Sequence, residues 1–489
     1  MSKSSRQTEI TPPTASTRLA IALAALVLLL AAAARYFSGG DGLWLDEIWT
    51  LTLAFSPKVT SPWDILTGMH QENNHYLNTF CVWLLGPQSD WMLYRLPPMI
   101  AGTASVAIAG LIGRRRSDVA ALLAMLLVGA SYVLIHYSSE ARGYSFAVCF
   151  SLLCLDCQER VLSGARWPAV AGTAASAIAG VLSQPVFLAF YGALLVWSAG
   201  KITLMIQARR KGRWRSLQQC GLCHIPPLVF FAWLYAVDLR RVFNAGGPVY
   251  PLTEVVLQTF SLAGGGPDGA GQTAGAILVI LTFIVSLAIL WRVDRGWCVL
   301  ALLAIVVMPA LLLIATGRRE VYPRYFVIPI TLLNVTFAFG LAAVWKSGTA
   351  LPRLMGGVLL AASLIGNGIH VARLLEFGRG GNLQTVQFLD EHTAGREISV
   401  GSDFDFRNRM VLLFYSQYLS DPRRLHYYLQ NQWPARGPEW LLVHNLDRRF
   451  KPAPDLTDDA GRRYHLARFY PYAGLSGWCW AVYRNERPP

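Results

Sequence analysis

The chain has 489 residues, of which 54% are hydrophobic and 15% are charged, and its mean hydropathy is +0.37. This composition excludes an ordinary soluble protein, in which about 25% of residues are charged. The formal net charge of +14 does not indicate a nucleic-acid partner, because the basic residues fall mostly in short loops between apolar runs, where they set membrane orientation. The predicted elements are therefore those of a mainly α-helical polytopic membrane protein.

The first predicted membrane span is the apolar run 19–34. Residues 1–18 include three basic side chains, which predict a cytoplasmic N-terminal tail. The run ends in Ala31-Ala-Ala-Ala34, a pattern that is also found at signal-peptide cleavage sites. We prefer an uncleaved anchor, because the rest of the chain is itself embedded in the membrane and needs a first span to set its topology.

Ten further apolar runs follow, at the spacing that a bilayer about 30 Å thick requires of helices. They lie near residues 96–112, 119–136, 144–155, 167–182, 186–199, 221–237, 274–290, 297–315, 326–344 and 355–371. With the first span they predict about eleven transmembrane helices, and an odd number places the two chain ends on opposite sides. Basic loops such as 114–116 and 201–215 fall on the inferred cytoplasmic side. We predict a multi-pass membrane protein whose C-terminal region is extracytoplasmic.

The loop 35–91 is predicted to lie outside the cytoplasm, as short amphipathic helices along the membrane surface. It carries the adjacent carboxylates Asp46 and Glu47 near the water edge of the bilayer. A carboxylate at the bilayer centre costs about 2.5–3.5 kcal/mol, so acids near membrane depth are candidates for function. This stretch alone is equally consistent with a solvated loop in which both side chains face water.

Arginines at the outward ends of spans depart from the usual sorting of positive charge to the cytoplasmic side. Arg95 opens one span, Arg142 lies between two spans close to Glu140, and Arg324 stands beside Tyr325 at the edge of another. A guanidinium at the headgroup boundary suits a phosphate, through bidentate charge-assisted hydrogen bonds. The alternative for each arginine is snorkelling to lipid headgroups. Three of them beside carboxylates and tyrosines favour a phosphate-binding pocket.

Five segments occur in an order that resembles a known family. They are Leu45-Asp46-Glu47-Ile-Trp-Thr-Leu-Thr-Leu-Ala54, Asn73-Asn-His75-Tyr-Leu, Arg95-Leu-Pro, Tyr137-Ser-Ser-Glu140-Ala-Arg142-Gly-Tyr144 and Arg324-Tyr-Phe-Val-Ile-Pro329. The set resembles the bacterial protein-mannosyltransferase-like glycosyltransferases of family 39 type, which are related to the lipid A aminoarabinose transferases and share the membrane-embedded GT-C fold. The resemblance is strongest over residues 19–151, weaker to residue 329, and does not extend to the C-terminal region.

The resemblance implies that Asp46 is the general base toward an acceptor hydroxyl and that Glu47 supports it as a second catalytic residue. It also implies that the donor is a hexose or pentose on a polyprenyl-phosphate carrier, and that the acceptor is an extracytoplasmic glycolipid, polysaccharide or protein. Candidate residues for binding the donor phosphate are Arg95, Arg142, Arg324 and Tyr325. His75 and Glu140 are candidate supporting residues.

We predict no metal site, because Gln184 occupies a turn in which relatives often carry a histidine, and an amide is the poorer ligand. His70, His75 and Glu140 could still bind a divalent ion if the external loop folds over them. The segment Cys220-Gly-Leu-Cys223-His224 matches a haem c attachment pattern. We interpret this match as coincidental, because the segment lies at the cytoplasmic end of a predicted span.

The composition changes after the last apolar run, and residues 375–489 predict a small extracytoplasmic α/β domain. Its predicted helices cover 382–392 and 407–419, and its predicted strands cover 397–400, 440–444 and 477–483. About 115 residues can bury a small core of their own. The predicted organisation is thus a tail (1–18), a transmembrane catalytic domain (19–374) and this external domain (375–489).

Two other functions are compatible with a polytopic protein of this kind. A transporter or flippase of lipid-linked saccharides usually shows internal repeats with broken helices at mid-membrane, and the sequence has no such symmetry. A scaffolding protein could use the aromatic residues of the external domain as a binding face. We prefer the glycosyltransferase, because the candidate charges gather at one face of the membrane.

Overall fold

The computed structural model describes residues 15–164, 167–209, 212–242, 246–317 and 320–486. Most of the predicted N-terminal tail lies outside the described residues. In the described part of the chain, seventeen α-helices precede the C-terminal region: α1 (Ala15–Ser38), α2 (Leu45–Ala54), α3 (Pro62–Thr67), α4 (Tyr76–Leu85), α5 (Met92–Arg114), α6 (Asp118–Ala130), α7 (Tyr132–Ser138), α8 (Tyr144–Leu162), α9 (Trp167–Ser183), α10 (Phe187–Gln207), α11 (Arg213–Val237), α12 (Leu252–Ala263), α13 (Gln272–Leu290), α14 (Arg295–Leu302), α15 (Met308–Thr316), α16 (Val327–Lys346) and α17 (Ala350–Phe377).

Eight helical segments among the described residues are long and apolar enough to cross a membrane. A ninth arises if α6 and α7, which bend by 60° at their junction, count as one span. Helices dominate because a lipid-embedded backbone must satisfy its hydrogen bonds within the segment. All eleven predicted runs coincide with a helix or a pair of helices, which confirms a mainly α-helical polytopic fold. The count of eleven spans stays a prediction, because α8 carries several charges and α9 has only 17 residues.

The first loop folds into the short helices α2, α3 and α4, as the sequence predicts. The start of α2 is fixed by its own acid: the main-chain N–H of Trp44 donates to Oε2 of Glu47 at 3.1 Å. This bond satisfies one of the main-chain donors that every helix N-terminus leaves unpaired. Asn73 holds the other side of α2, since its amide donates to the main-chain oxygen of Asp46 at 3.0 Å. The backbone around Asp46 is therefore fixed from two directions.

The C-terminal region is a six-stranded sheet with two helices. The elements are α18 (Asn382–His392), β1 (Ile398–Ser402), α19 (Asp405–Ser416), β2 (Leu425–Tyr427), β3 (Trp440–Asn445), β4 (Asp455–Thr457), β5 (Arg463–Tyr470) and β6 (Cys479–Asn485). The strand order is β2-β1-β3-β6-β5-β4; β1 pairs in parallel with β2 and β3, and the other pairs are antiparallel. Both predicted helices and all three predicted strands are present, whereas β2, β4 and β5 were not predicted.

The two faces of this sheet bury different partners, because successive side chains of a strand point to opposite faces. One face forms a small core with Leu441, Tyr464 and Tyr483. The other face, with Trp440 and Trp480, belongs to a larger core that includes the apolar side chains of the first loop. Those side chains are Leu43, Trp44, Leu45, Ile48 and Leu51. The C-terminal region thus packs directly on α2, the helix that carries Asp46.

Candidate functional site

A cavity of about 1090 Å³ lies between the membrane helices and the C-terminal region. This volume is slightly above the range of about 300–1,000 Å³ that is typical of small-molecule sites. One part of its wall is apolar and comes from α10 and α15, with Leu188, Ala189, Leu312 and Leu313. Another part is polar and includes five of the predicted site residues: Asp46, His75, Arg142, Arg324 and Tyr325.

The carboxylate of Asp46 lies between two arginines in this cavity. Its Oδ2 is 3.3 Å from Nη2 of Arg142 and 3.2 Å from Nη1 of Arg324. The side chains of Asp46 and Arg324 are 12% and 18% exposed, so a ligand in the cavity can reach both. Two positive charges thus meet one negative charge, which leaves an excess of positive charge where an anion could bind.

Arg142 is held in the turn between α7 and α8. It donates from Nη1 to the main-chain oxygen of Asp46 at 3.2 Å and to Oδ1 of Asn73. Burial lowers the pKa of Arg142, but the neighbouring carboxylate of Asp46 outweighs this effect, so the pKa is raised and the charge is retained. Its Nε is buried and has no hydrogen-bond partner within the described parts of the chain.

Arg324 lies in the short 3-10 turn Pro323–Phe326 before α16, among aromatic rings. Its guanidinium carbon is 4.5 Å from the centre of the Tyr322 ring, 5.8 Å from that of Tyr325 and 5.9 Å from that of Trp44. Such contacts with ring faces stabilise a cation. The Nε of Arg324, like that of Arg142, is buried with no hydrogen-bond partner among the described residues. Both arginines therefore keep donor capacity for a further acceptor.

His75 stands beside the two arginines and is fully enclosed. Its Nδ1 accepts from the main-chain N–H of Gly143 at 2.7 Å, and its Nε2 is 3.2 Å from the side-chain amide of Gln184. Burial, followed by the positive charges of Arg142 and Arg324, holds the pKa of His75 well below its ordinary value. The imidazole is therefore neutral at pH 7, and its role at this position is to hold the 139–143 turn.

Glu47 and Arg95 form a buried ion pair behind the cavity wall, which differs from the direct roles expected of them. Nη2 of Arg95 is 2.5 Å from Oε2 of Glu47, and neither side chain is exposed. Oε1 of Glu47 accepts from Nε of Arg95 at 2.8 Å and from the main-chain N–H of Ala141 at 2.7 Å. Neither Glu47 nor Arg95 lines the cavity. Their contacts tie α2 to α5 and to the turn that carries Arg142.

A second buried arginine, Arg379, extends this network and was not predicted. It contacts Oδ1 of Asp41 at 2.7 Å through Nη1 and Oε1 of Glu140 at 3.0 Å through Nε. Glu140 is therefore also placed behind the wall. Burial raises the pKa of Glu140, but a hydrogen bond from His136 and the charge of Arg379 outweigh it and hold the pKa below its usual range.

The sequence carries one signal for Arg379, the glycines that surround it. Gly378 and Gly380 have φ of +55° and +105°, and a Cβ on Gly380 would lie 2.4 Å from the main-chain oxygen of Trp478. Only glycine tolerates both the dihedral angle and the close approach. The segment Gly378-Arg379-Gly380-Gly381 is thus built to bring its arginine into the network.

The structure does not bring His70, His75 and Glu140 together as metal ligands. Nδ1 of His70 is 2.5 Å from Oδ1 of Asp238, and this carboxylate also accepts from the hydroxyl of Tyr76. Of the described residues, one group of three offers ligand atoms within 4.8 Å of one another, namely Cys220, Cys223 and His224. That group lies in the first half of α11, outside the cavity.

No protein-family model and no curated protein sequence matches the chain. Among solved structures, the chain is similar to ArnT from Cupriavidus metallidurans bound to undecaprenyl phosphate, with a TM-score of 0.51 and 13% identity over 96% of this chain and 98% of that one. The apo state of the same ArnT gives a TM-score of 0.48 with 14% identity, over 88% of this chain and 93% of that one. The oligosaccharyltransferase of Archaeoglobus fulgidus, in complex with Zn and sulfate, gives a TM-score of 0.43 with 12% identity, over 86% of this chain and 68% of that one. The first of these likenesses confirms the predicted GT-C fold.

Proposed function

We propose that the protein is an integral-membrane glycosyltransferase that moves one sugar from a polyprenyl-phosphate carrier to an extracytoplasmic acceptor. The observation that carries this proposal is the convergence of Asp46, Arg142 and Arg324 on one cavity with an apolar wall. The positive groups suit a phosphate, and the apolar wall suits the hydrocarbon chain that bears it.

Donor binding changes the partners of Asp46. The phosphodiester of the donor is an anion and competes with the carboxylate for the guanidinium groups of Arg142 and Arg324. Asp46 then loses part of the positive charge around it and becomes a better proton acceptor. Binding of the donor thus prepares the base, which links catalysis to the presence of substrate.

The transfer needs one base and no protonating acid. Asp46 takes the proton of the acceptor hydroxyl while the acceptor oxygen bonds to the anomeric carbon. The bond between that carbon and the phosphate oxygen breaks, and its electron pair leaves with the polyprenyl phosphate. The extra negative charge develops on the phosphate beside Arg142 and Arg324, which supply electrostatic stabilisation. Direct attack inverts the configuration at the anomeric carbon.

The remaining predicted residues support this geometry from behind the cavity wall. Glu47 and Arg95 fix α2 against α5, and Arg379 with Glu140 fixes the turn that carries Arg142. We assign them positioning roles rather than contact with the donor. Tyr325 and His75 line the cavity and contribute to its shape.

The undecaprenyl phosphate in the ArnT structure is the ligand class that we propose for the apolar wall. The acceptor would enter beneath the C-terminal region, whose Arg407, Arg448 and Trp478 also line the cavity. We place this side outside the cytoplasm of a bacterial inner membrane, in agreement with the distribution of basic loops.

Mass spectrometry of envelope glycans from cells that express either the wild type or Asp46→Asn tests the proposal. The expected result is loss of one sugar substituent in the variant, at equal protein level, with accumulation of the lipid-linked donor. Unchanged glycans would contradict the enzyme. Loss of donor translocation in vesicles, with sugar transfer intact in detergent, would instead support a flippase.

A further inference from the structure

Outside the cavity, α11 carries the three potential metal ligands Cys220, Cys223 and His224. Positions i, i+3 and i+4 of a helix share one face, so this spacing directs all three side chains the same way. Their ligand atoms lie within 4.8 Å of one another, and all three residues are buried. We propose that these residues bind one divalent transition-metal ion, Zn²⁺, at a structural site.

A hydrogen bond from a neighbouring helix orients His224 as a ligand. The hydroxyl of Tyr191, on α10, is 2.9 Å from Nδ1 of His224. When the hydroxyl accepts from Nδ1–H, the lone pair of the imidazole is on Nε2, which is the usual arrangement of a metal-binding histidine and its hydrogen-bond partner. His224 is 7% exposed, and its Nε2 has no hydrogen-bond partner within the described residues. A buried nitrogen of this kind normally has a partner, and a metal ion would supply it.

A fourth polar group, the side-chain amide of Gln158 on α8, contacts both sulfur atoms. Its Nε2 is 3.3 Å from Sγ of Cys220, and its Oε1 is 3.4 Å from Sγ of Cys223. The same Nε2 donates to the hydroxyl of Ser198 at 3.0 Å. Gln158 Oε1 is therefore the nearest candidate for a fourth ligand, and the bond to Ser198 would hold the amide in place.

Geometry and charge both favour Zn²⁺ at this position. A tetrahedral ion with Zn–S bonds of about 2.3 Å separates two sulfurs by about 3.8 Å, so a closure of about 1 Å by side-chain rotation suffices. The surroundings are apolar, because Val161, Val170 and Ile202 pack around the two thiols. Two thiolates neutralise a divalent ion, and a neutral group costs far less to bury than a charged one.

The site would act as a cross-link between helices rather than in catalysis. Its ligands and their hydrogen-bond partners come from α8, α10 and α11 and lie outside the cavity lining. In the topology proposed above, α11 begins on the cytoplasmic side, where thiols stay reduced and available to a metal. The segment 220–224, which also matches a haem c attachment pattern, would thus bind a single metal ion.

Titration of the purified, reduced full-length protein with Co²⁺ tests the inference, because cobalt in a thiolate site gives charge-transfer absorption in the near ultraviolet. We expect about one bound ion per chain, displaced by an equivalent of Zn²⁺. Cys220→Ser, Cys223→Ser and His224→Asn should each lose most of the absorption. Cys298→Ser, which removes a buried thiol on α14, is the matched control and should keep it.

Three outcomes would overturn the inference. The wild type could show no thiolate-to-cobalt band, a result that does not depend on the folding of any variant. Cys223→Ser could bind as much cobalt as Cys298→Ser. Finally, mass spectrometry of the freshly isolated protein could show a disulfide between Cys220 and Cys223.

Discussion

The carboxylate of Asp46 lies 3.2 Å from Nη1 of Arg324, although 278 positions separate the two residues in the chain. Asp46 belongs to α2, in the loop between α1 and α5, and Arg324 belongs to the short turn before α16. Their contact brings an acid and a guanidinium group into one cavity, and the first two predictions follow from it.

Asp46→Asn should lower the rate of sugar transfer by about 10²–10⁴, the usual contribution of a positioned base. Undecaprenyl phosphate should bind the variant at least as tightly as the wild type, because no carboxylate competes for the two arginines. Parallel transfer and lipid-binding measurements in detergent check both effects. Glu254→Gln removes another carboxylate of the cavity wall and is the control, with expected transfer near wild type. A loss of lipid binding in Asp46→Asn would contradict the competition.

Arg324→Gln should weaken the binding of undecaprenyl phosphate about 10- to 100-fold, since a hydrogen bond to a charged group is worth about 1.5–3 kcal/mol. Arg142→Gln should have a similar effect, because Arg142 meets the same carboxylate from the other side. Native mass spectrometry or calorimetry with the lipid measures the affinity. Arg292→Gln, at an exposed loop far from the cavity, should leave it unchanged. Equal affinities of all three variants for the lipid would contradict the proposed phosphate site.

Glu47→Gln should destabilise the protein by about 3–5 kcal/mol, because it leaves Arg95 as a buried charge without its main partner. The double variant with Arg95→Gln should be less damaged than the sum of the two single variants. Thermal unfolding in detergent measures the difference. The matched control is Arg114→Gln, whose partner Asp118 is 4.0 Å away and whose pair is more than 70% exposed, for an expected loss of about 0–1 kcal/mol. Additive losses would show that Glu47 and Arg95 do not act as a pair.

His75 should make the protein less stable in acid. Its pKa is lowered on folding, so the unfolded chain binds the proton more readily. Stability should therefore be constant above about pH 7 and fall by up to about 1.4 kcal/mol per pH unit as the pH drops below the ordinary value of 6.5. Glu140 acts in a more acidic window, because the stability from its lowered pKa is lost only as the pH falls through the ordinary glutamate value of 4.5 and below it.

His75→Gln should flatten this slope between pH 6.5 and 5, as measured by unfolding temperature across a pH series. His426→Gln, which removes an exposed histidine of β2, controls for the loss of a histidine. If His75→Gln and the wild type lose stability in parallel, the buried imidazole is not the cause.

The convergence of Asp46, Arg142 and Arg324 was predicted because each is an ionisable residue near the predicted outward edge of a span. The sequence could not assign Glu47 and Arg95 to the buried side. Adjacent residues of a helix point about 100° apart, and Glu47 points toward Arg95 while Asp46 points into the cavity. The partners of Glu47, Arg95 and the main chain of Ala141, are distant in the sequence, so no local pattern indicates this direction.

Long-range partners explain most of the other differences. Arg379 is 338 positions from Asp41, and no local pattern joins them. The strand β5 was not predicted because the alternation of exposed and buried side chains is interrupted by a register shift between Leu466 and Arg468. Helix positions, in contrast, followed directly from hydropathy, because a lipid-embedded backbone has few alternatives.

The shared core between α2 and the sheet has a practical consequence for protein engineering. Leu43, Leu45 and Ile48 share one core with Trp440 and Trp480, so the residues around Asp46 and those of the C-terminal region must fit one another. A chimaera that replaces only residues 375–489 with the equivalent part of another protein would leave α2 mismatched. Grafting both segments as one unit should preserve the position of Asp46 in the cavity.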